Sequence, residues 1–240
     1  MFAPMSQGEL LDGAFHLFGR HFRTLIAVAA VCNGPGQALA LYADLSGGVT
    51  VHPFSFLFAL LVAALGALIG SAAILRVISD GYLGRETSWQ DAIRYAMGKV
   101  WGLVVAGFAA GILTALAFLL LIVPGFIVMC GYSVVSQVVV LEDLPRSTDA
   151  LGRSWSLTKG HRVTAFIIML VLGIVATMPG GVANALSVLI GSPARVAGAL
   201  LTIVLAPLPA CGMTLYYYDL RVRKEAFDLQ LLGQLLGPSA

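Results

Sequence analysis

Six long stretches of sequence carry almost no charge, and this feature constrains the fold more than any other. They cover residues 24–42, 54–78, 100–123, 126–141, 163–178 and 195–218. A helix needs about 20 apolar residues to cross a bilayer. Only 11% of the 240 residues are charged, whereas an ordinary soluble domain has about 25%. The sequence therefore predicts a single all-α polytopic membrane bundle over residues 1–240 with about six transmembrane helices, and it excludes a free soluble globule.

The fourth and fifth stretches are shorter than the rest. Each contains 16 residues, or about 24 Å of helix, so they need flanking residues or a thinned bilayer. Residues 182–190 follow the fifth stretch between two turns rich in Gly and Pro. The sequence leaves open whether residues 179–193 form a helix lip, a re-entrant segment or a continuation of the fifth span.

Positive charge is confined to one side of the predicted membrane. Short loops rich in Lys and Arg remain cytoplasmic. With both termini inside, all of the 14 Lys and Arg residues except Arg195 lie on the cytoplasmic side. We therefore expect a cytoplasmic N-terminus and a cytoplasmic C-terminus, with residues 219–240 as a tail. The net charge of +2 and the lack of a long basic run predict no nucleic-acid partner.

An amphipathic segment precedes each span that leaves the cytoplasm. Apolar and charged residues alternate at helical spacing over residues 9–23, 89–100 and 151–159, which predicts three helices in the inner headgroup layer. Two segments begin with the pattern of a capping box. The predicted caps are Ser6 with Glu9, and Thr87 with Gln90.

The chain reads as three parallel units, each an interfacial helix followed by a membrane hairpin. The units cover residues 6–80, 87–141 and 147–218, and an acidic residue followed by an Arg lies at or just after the end of each. Every unit holds an even number of spans, so all three point the same way.

The first span contains residues that are unusual in the middle of a membrane helix. Residues 32–37 read CNGPGQ, and Pro35 removes a backbone donor inside the bilayer. Such a broken helix occurs where a cavity supplies polar partners, although a kinked span bonded to neighbouring helices is the more common arrangement. The candidate polar pocket comprises Asn33, Gln37, Gln137 and Asn184.

Small residues recur four apart in the second and third spans. Gly66 with Gly70, and Gly107 with Gly111, have the spacing that lets membrane helices approach closely. We expect both pairs to pack inside the bundle.

Basic residues cluster near the last two cytoplasmic segments. Each cation near an anionic membrane surface contributes about 1 kcal/mol of attraction. Ordinary cytoplasmic anchoring explains these residues equally well. The candidate headgroup contacts are Arg153, Lys159, Arg162, Arg221, Arg223 and Lys224.

Four strings resemble one bacterial membrane-protein family. They are GELLDGAFHLFGRHFRTL (8–25), IVPGF with VVVLEDL (122–126 and 138–144), ALGRSWSLTKGHR (150–162) and LYYYDLRVRKEAFDLQLL (215–232). The chain is similar to the family named for the membrane domain of glycerophosphoryl diester phosphodiesterase. The resemblance implies a six-span protein of a bacterial plasma (inner) membrane. The family name comes from members fused to a soluble hydrolase domain, which the sequence after Tyr218 is too short to hold, so we expect no hydrolase activity.

Function is predicted by exclusion as much as by pattern. No span carries an ionisable residue well inside it, which disfavours an ion-coupled pump. The leading interpretation is a non-enzymatic membrane assembly or accessory factor that contacts lipids and a possible membrane-protein partner. The alternative is a carrier or binder of a lipid or small amphiphile. A phosphodiester-processing enzyme is least favoured, since the nearest acid–base and ligand candidates lack a catalytic or metal-binding spacing. Those candidates are Glu142, Asp143, Asp149 and His161, and we expect no catalytic residue, no cofactor and no metal.

Overall fold

The computed structural model describes residues 5–45, 53–82 and 84–225, and every regular element in them is an α-helix. The helices are α1 (Gln7–Arg20), α2 (Phe22–Leu45), α3 (Pro53–Tyr82), α4 (Trp89–Leu120), α5 (Ile122–Gly131), α6 (Val135–Leu141), α7 (Asp149–Thr158), α8 (Arg162–Ile190), α9 (Ser192–Leu205) and α10 (Pro207–Glu225).

Six helical stretches in the described ranges are long and apolar enough to cross a membrane. They are Phe22–Tyr42, Leu57–Tyr82, Trp89–Leu120, Ile122–Leu141, Arg162–Ile190 and Ser192–Glu225. Each overlaps one predicted stretch, so the prediction of an all-α, six-span membrane bundle is confirmed. We call the end of the bundle that carries Met5 and Glu225 the terminal end, and the end that carries Leu121 and Gly191 the distal end.

The three predicted interfacial segments join their spans differently. α1 stops at His21, and α7 stops before Gly160, whose φ of 90° interrupts the helix. The second segment has no such break and is continuous with its span, so α4 runs for 32 residues. Gly98 lowers helix propensity by about 1 kcal/mol, but without a proline or a positive φ the helix continues through it.

The caps agree with the prediction in one case and differ in the other. At α1, the Ser6 hydroxyl accepts from the Glu9 amide at 3.3 Å and the Ser6 amide donates to the Glu9 carboxylate at 2.6 Å. At α4 the predicted Thr87 cap is wrong, because Ser88 accepts from the Asp91 amide at 3.2 Å. The Thr87 hydroxyl donates instead to the carboxylate of Asp80, at 2.6 Å.

The segment after the fifth stretch continues that span. α8 passes through Pro179 and ends only at Ile190, so residues 182–190 belong to a 29-residue helix and form no re-entrant loop. Gly191 follows with a φ of 79°, a conformation that favours glycine because it lacks a Cβ. α9 begins at the next residue.

Two spans are built from consecutive shorter helices. The fourth breaks after Gly131, whose carbonyl accepts from Ser154 at 2.8 Å and Thr158 at 3.1 Å, both on α7. A carbonyl released from a membrane helix must find such a partner. The sixth span breaks at Ala206, just before Pro207, which has no backbone N–H to continue the hydrogen bonding of the preceding helix.

The best-packed part of the core lies at the terminal end. Residues 211–220 of α10 are all buried, and α10 contacts α1, α3 and α8. Near the distal end, residues 119–123 and 188–190 are instead exposed. The terminal half of the bundle is therefore held by side-chain packing, while apolar side chains of the distal half face outward.

The small-residue pairs behave differently from each other. A methyl group added at Gly66 would lie 2.0 Å from the carbonyl oxygen of Cys32, so α2 and α3 meet backbone to backbone there. Added at Gly107 or Gly111, it would meet nothing within 4 Å. Packing inside the bundle is therefore confirmed for the α3 pair and wrong for the α4 pair, because α4 turns that side away from the other helices.

Candidate functional site

Three acidic side chains connect the predicted units at the terminal end. Each lies at or just after the end of one unit and contacts a residue at or near the beginning of another. The contacts are Asp80 with Thr87 (2.6 Å), Glu142 with Arg153 (2.9 Å) and Asp219 with the amide of Met5 (2.8 Å). One contact thus joins the first unit to the second, one joins the second to the third, and one joins the third to the start of the chain.

Glu142 is the centre of the largest polar cluster. Arg153 of α7 binds its two carboxylate oxygens, at 2.9 Å through Nε and 3.2 Å through Nη2, and the Tyr217 hydroxyl donates to Oε1 at 2.8 Å. Arg153 also pairs with Glu225, which Arg221 contacts at 3.1 Å. Burial alone would lower the pKa of Arg153, but the bonds to Glu225 and Glu142 outweigh it and raise the pKa. The cluster locks α6, α7 and α10 together.

The end of α10 adds further contacts to the same region. Arg223 lies 2.7 Å from a carboxylate oxygen of Asp219 and donates to the carbonyl of Met5 at 2.7 Å. Lys224 donates to the carbonyls of Ser156 and Lys159, the latter at 2.8 Å. A cation at these last carbonyls stabilises the C-terminus of α7.

The segment after α7 contains the two remaining headgroup candidates and a histidine. The guanidinium of Arg162 lies 3.9 Å from the ring centre of Trp155, and its buried Nε has no hydrogen-bond partner among the residues that the structure describes. Lys159 is exposed. Burial lowers the pKa of His161, and the charges of Arg223 and Lys224 lower it further.

All six predicted headgroup residues therefore lie at the terminal end, but they are not equally available to a ligand. Four of the six bind carboxylates or carbonyls of the protein itself, namely Arg153, Arg221, Arg223 and Lys224. Their clear role is to close this end of the bundle.

A second polar region lies at the distal end, where a cavity of about 300 Å³ opens between α2, α8 and α9. Its polar lining consists of Gln37, Asn184, Arg195 and Thr202, and the rest of its wall is small or apolar. Arg195 donates through Nε to Ser187 at 3.2 Å, which holds the guanidinium at the start of α9.

The depth of this cavity follows from helix geometry. Gln37 comes 15 residues after Phe22, which is about 22 Å along α2. The hydrocarbon core is about 30 Å thick. Asn184 and Arg195 lie nearer still to the distal loop at Gly191. Counted from Phe22, the cavity therefore lies in the distal part of the spans.

The four predicted pocket residues divide into two groups. Gln37 and Asn184 line the cavity together. Asn33 lies against α3, since a methyl group at Gly70 would be 3.5 Å from its amide nitrogen. Gln137 is buried in α6, where it accepts from Ser136 at 3.0 Å. Arg195 and Thr202 complete the cavity and were missed, although the isolated positive charge of Arg195 is a signal readable from sequence.

Two of the four acid–base candidates are engaged in ion pairs. Glu142 is bound to Arg153, and the fully exposed Asp143 pairs with Lys99 at 3.2 Å. Within the described ranges, no group of three or more His, Cys, Asp and Glu side chains is placed to hold a metal ion. The three cysteines are free and buried.

Comparison with known proteins adds no family. No protein-family model matches the chain, and neither a curated protein nor a solved structure does.

Proposed function

We propose that this multi-pass membrane protein is not an enzyme but binds a lipid or small amphiphile, whose polar headgroup occupies the distal cavity. The observation that carries the proposal is that Gln37 and Asn184 line one cavity together with Arg195. Membrane interiors tolerate polar groups mainly where these have partners or serve function.

The chemistry of the wall fits a headgroup better than a whole lipid. Amides and a hydroxyl can bond neutral oxygens, and a guanidinium can bind an anionic one. A volume of about 300 Å³ is at the small end of ligand sites. Exposed apolar side chains of the neighbouring helices, including Val182, Leu186 and Leu200, offer a surface for acyl chains outside it.

Native mass spectrometry of the protein in polymer-bounded discs of its own membrane tests this proposal. We expect one retained lipid or amphiphile, lost in the double variant Gln37→Leu/Asn184→Leu. The matched control is Asn33→Leu, which removes an amide from the same helix but outside the cavity and should keep the ligand. Retention in the double variant, or loss in all variants alike, would contradict the proposal. A thermal melt of each variant checks folding.

Assembly with another membrane protein is the second candidate function. Gly107 and Gly111 are exposed on α4 with open space around them, and this spacing suits close approach of another helix. A protein partner in fixed stoichiometry in the same spectra, lost in Gly107→Leu/Gly111→Leu, would favour this role.

The proposal places the chain in a bacterial inner membrane with both termini in the cytoplasm. The support for orientation is the charge distribution, since Arg195 alone among 14 Lys and Arg residues lies toward the distal side. The support for the bacterial source is the resemblance of the four sequence strings. Lipids are the expected partners, and no nucleic acid is.

A further inference from the structure

A large groove crosses the terminal end, far from the distal cavity. It has a volume of about 1220 Å³ and lies between the α1–α2 junction and the α3–α4 connection. Arg20 and Arg23 line it from one side and Arg85 from the other, while Glu86 and Asp91 are its acidic residues. Asp91 is already engaged in capping α4. The lining therefore presents an excess of positive charge.

The three arginines of this groove differ from those of α7 and α10. Arg153 and Arg223 form ion pairs with carboxylates of the protein. Arg20, Arg23 and Arg85 make no ion pair and no side-chain hydrogen bond with any residue that the structure describes. The α1–α2 junction and the α3–α4 connection bring these three arginines to one groove, where they outnumber the two carboxylates.

The inner wall and the rim add two further features. His21 lines the groove, and its buried Nε2 has no hydrogen-bond partner within the described chain. Burial lowers the pKa of His21, the charge of Arg20 lowers it further and Glu86 opposes them, while the imidazole ring packs against Gly81. Phe22, where the first span begins, is half-exposed at the rim. The groove thus adjoins the beginning of the first candidate membrane span.

We propose that this groove binds a phosphate group, carried by the headgroup of an anionic lipid in the leaflet at the terminal end. Guanidinium groups match phosphate oxygens in charge and in their forked geometry. A volume of about 1220 Å³ leaves room for a headgroup around the phosphate. The inference is independent of the distal cavity and of the ligand proposed there.

The test uses the full chain purified in an uncharged detergent. It is titrated with dioctanoyl phosphatidylglycerol, with phosphate-free dioctanoylglycerol and with inorganic phosphate, and native mass spectrometry gives stoichiometry and affinity. The groove variant is Arg20→Gln/Arg23→Gln. The matched control is Lys99→Gln/Arg146→Gln, which removes the same charge from residues that do not line the groove. Unliganded melting temperatures verify that both variants fold.

We expect one phosphatidylglycerol per chain and little binding of dioctanoylglycerol. Each lost cation should weaken binding about fivefold, so the groove variant should bind about 25-fold more weakly and the control should change less than threefold. Competition by inorganic phosphate at equal affinity, with the same dependence on the variants, would identify free phosphate as the source and preserve the site. Equal losses in groove and control variants, equal binding of dioctanoylglycerol, or no binding by the unaltered chain would overturn the proposal.

Discussion

At the scale of single residues, Tyr217 shows how the terminal end is held. Its hydroxyl donates to Glu142 at 2.8 Å inside a nearly closed cluster. A hydrogen bond to a charged group contributes about 1.5–3 kcal/mol, so Tyr217→Phe should lower the free energy of unfolding by about 1.5 kcal/mol. Denaturant titration in micelles measures this. Tyr42→Phe alters an exposed tyrosine of α2 and should change little; an equal effect of both would contradict the role given to Tyr217.

Two histidines predict a defined pH dependence. The pKa of His21 and that of His161 are lowered from the ordinary 6.5, mainly by burial. Below this value the unfolded chain binds protons that the folded chain does not. The free energy of unfolding should therefore be constant above about pH 6.5 and fall as the pH decreases through the lowered values.

Unfolding at about pH 7.5 and about pH 5.5 checks this, since carboxylates titrate mostly below that range. His21→Gln/His161→Gln should reduce the difference between the two values. The control is His16→Gln, which changes an exposed histidine of α1 and should leave the difference between the two free energies of unfolding unaltered. An undiminished difference in the double variant would rule out these histidines as the cause.

At the scale of elements, two glycines on neighbouring spans predict opposite effects of one substitution. Gly66→Ala pushes a methyl group against the backbone of α2, and overpacking of this kind costs about 1–3 kcal/mol. Gly107→Ala meets open space and should gain up to about 1 kcal/mol from helix propensity. Denaturation of both variants in micelles measures the difference. A loss of stability in Gly107→Ala would indicate that this side of α4 is covered.

The sequence predicted those elements whose signals are local. Apolar runs located six spans, and Ser6 with Glu9 located the start of α1. The break after Gly131 was not predicted, because its carbonyl is satisfied by Ser154 and Thr158, which lie 23 and 27 residues away in the chain. Such a break depends on how α7 packs, which no local pattern records.

The candidate cavity was predicted in part for a similar reason. Asn33 and Gln37 lie four residues apart, which is within about 40° around an ideal helix. Asn33 nevertheless packs against α3, whereas Gln37 lines the cavity with α9. Which neighbour α2 meets at each depth is decided by the packing of the whole bundle. Sequence identified the amides as unusual but not their different surroundings.

At the scale of the whole molecule, the contact between Asp219 and Met5 joins the last unit to the first. Asp219 is 4% exposed and also pairs with Arg223. Asp219→Asn leaves that guanidinium without its carboxylate. Breaking a buried pair costs about 3–5 kcal/mol, and partial exposure of Arg223 reduces the expected loss to about 2 kcal/mol.

The matched control is Asp143→Asn, which removes a fully exposed partner of Lys99. An exposed pair contributes at most about 1 kcal/mol. Denaturation in micelles should therefore separate the two variants clearly. Equal stabilities would mean that closure of the three units through Asp219 does not hold the bundle together.

The orientation of the molecule in its membrane is open to a direct test, because the native cysteines are buried and free and the unaltered chain provides the blank. Ser192→Cys and Lys159→Cys introduce exposed thiols at the distal and terminal ends. Transport of a basic segment across the membrane is unfavourable, so the terminal end should be cytoplasmic. A membrane-impermeant maleimide added to intact cells should label Ser192→Cys alone, and lysis should make Lys159→Cys reactive. Labelling of Lys159→Cys in intact cells would reverse the proposed topology.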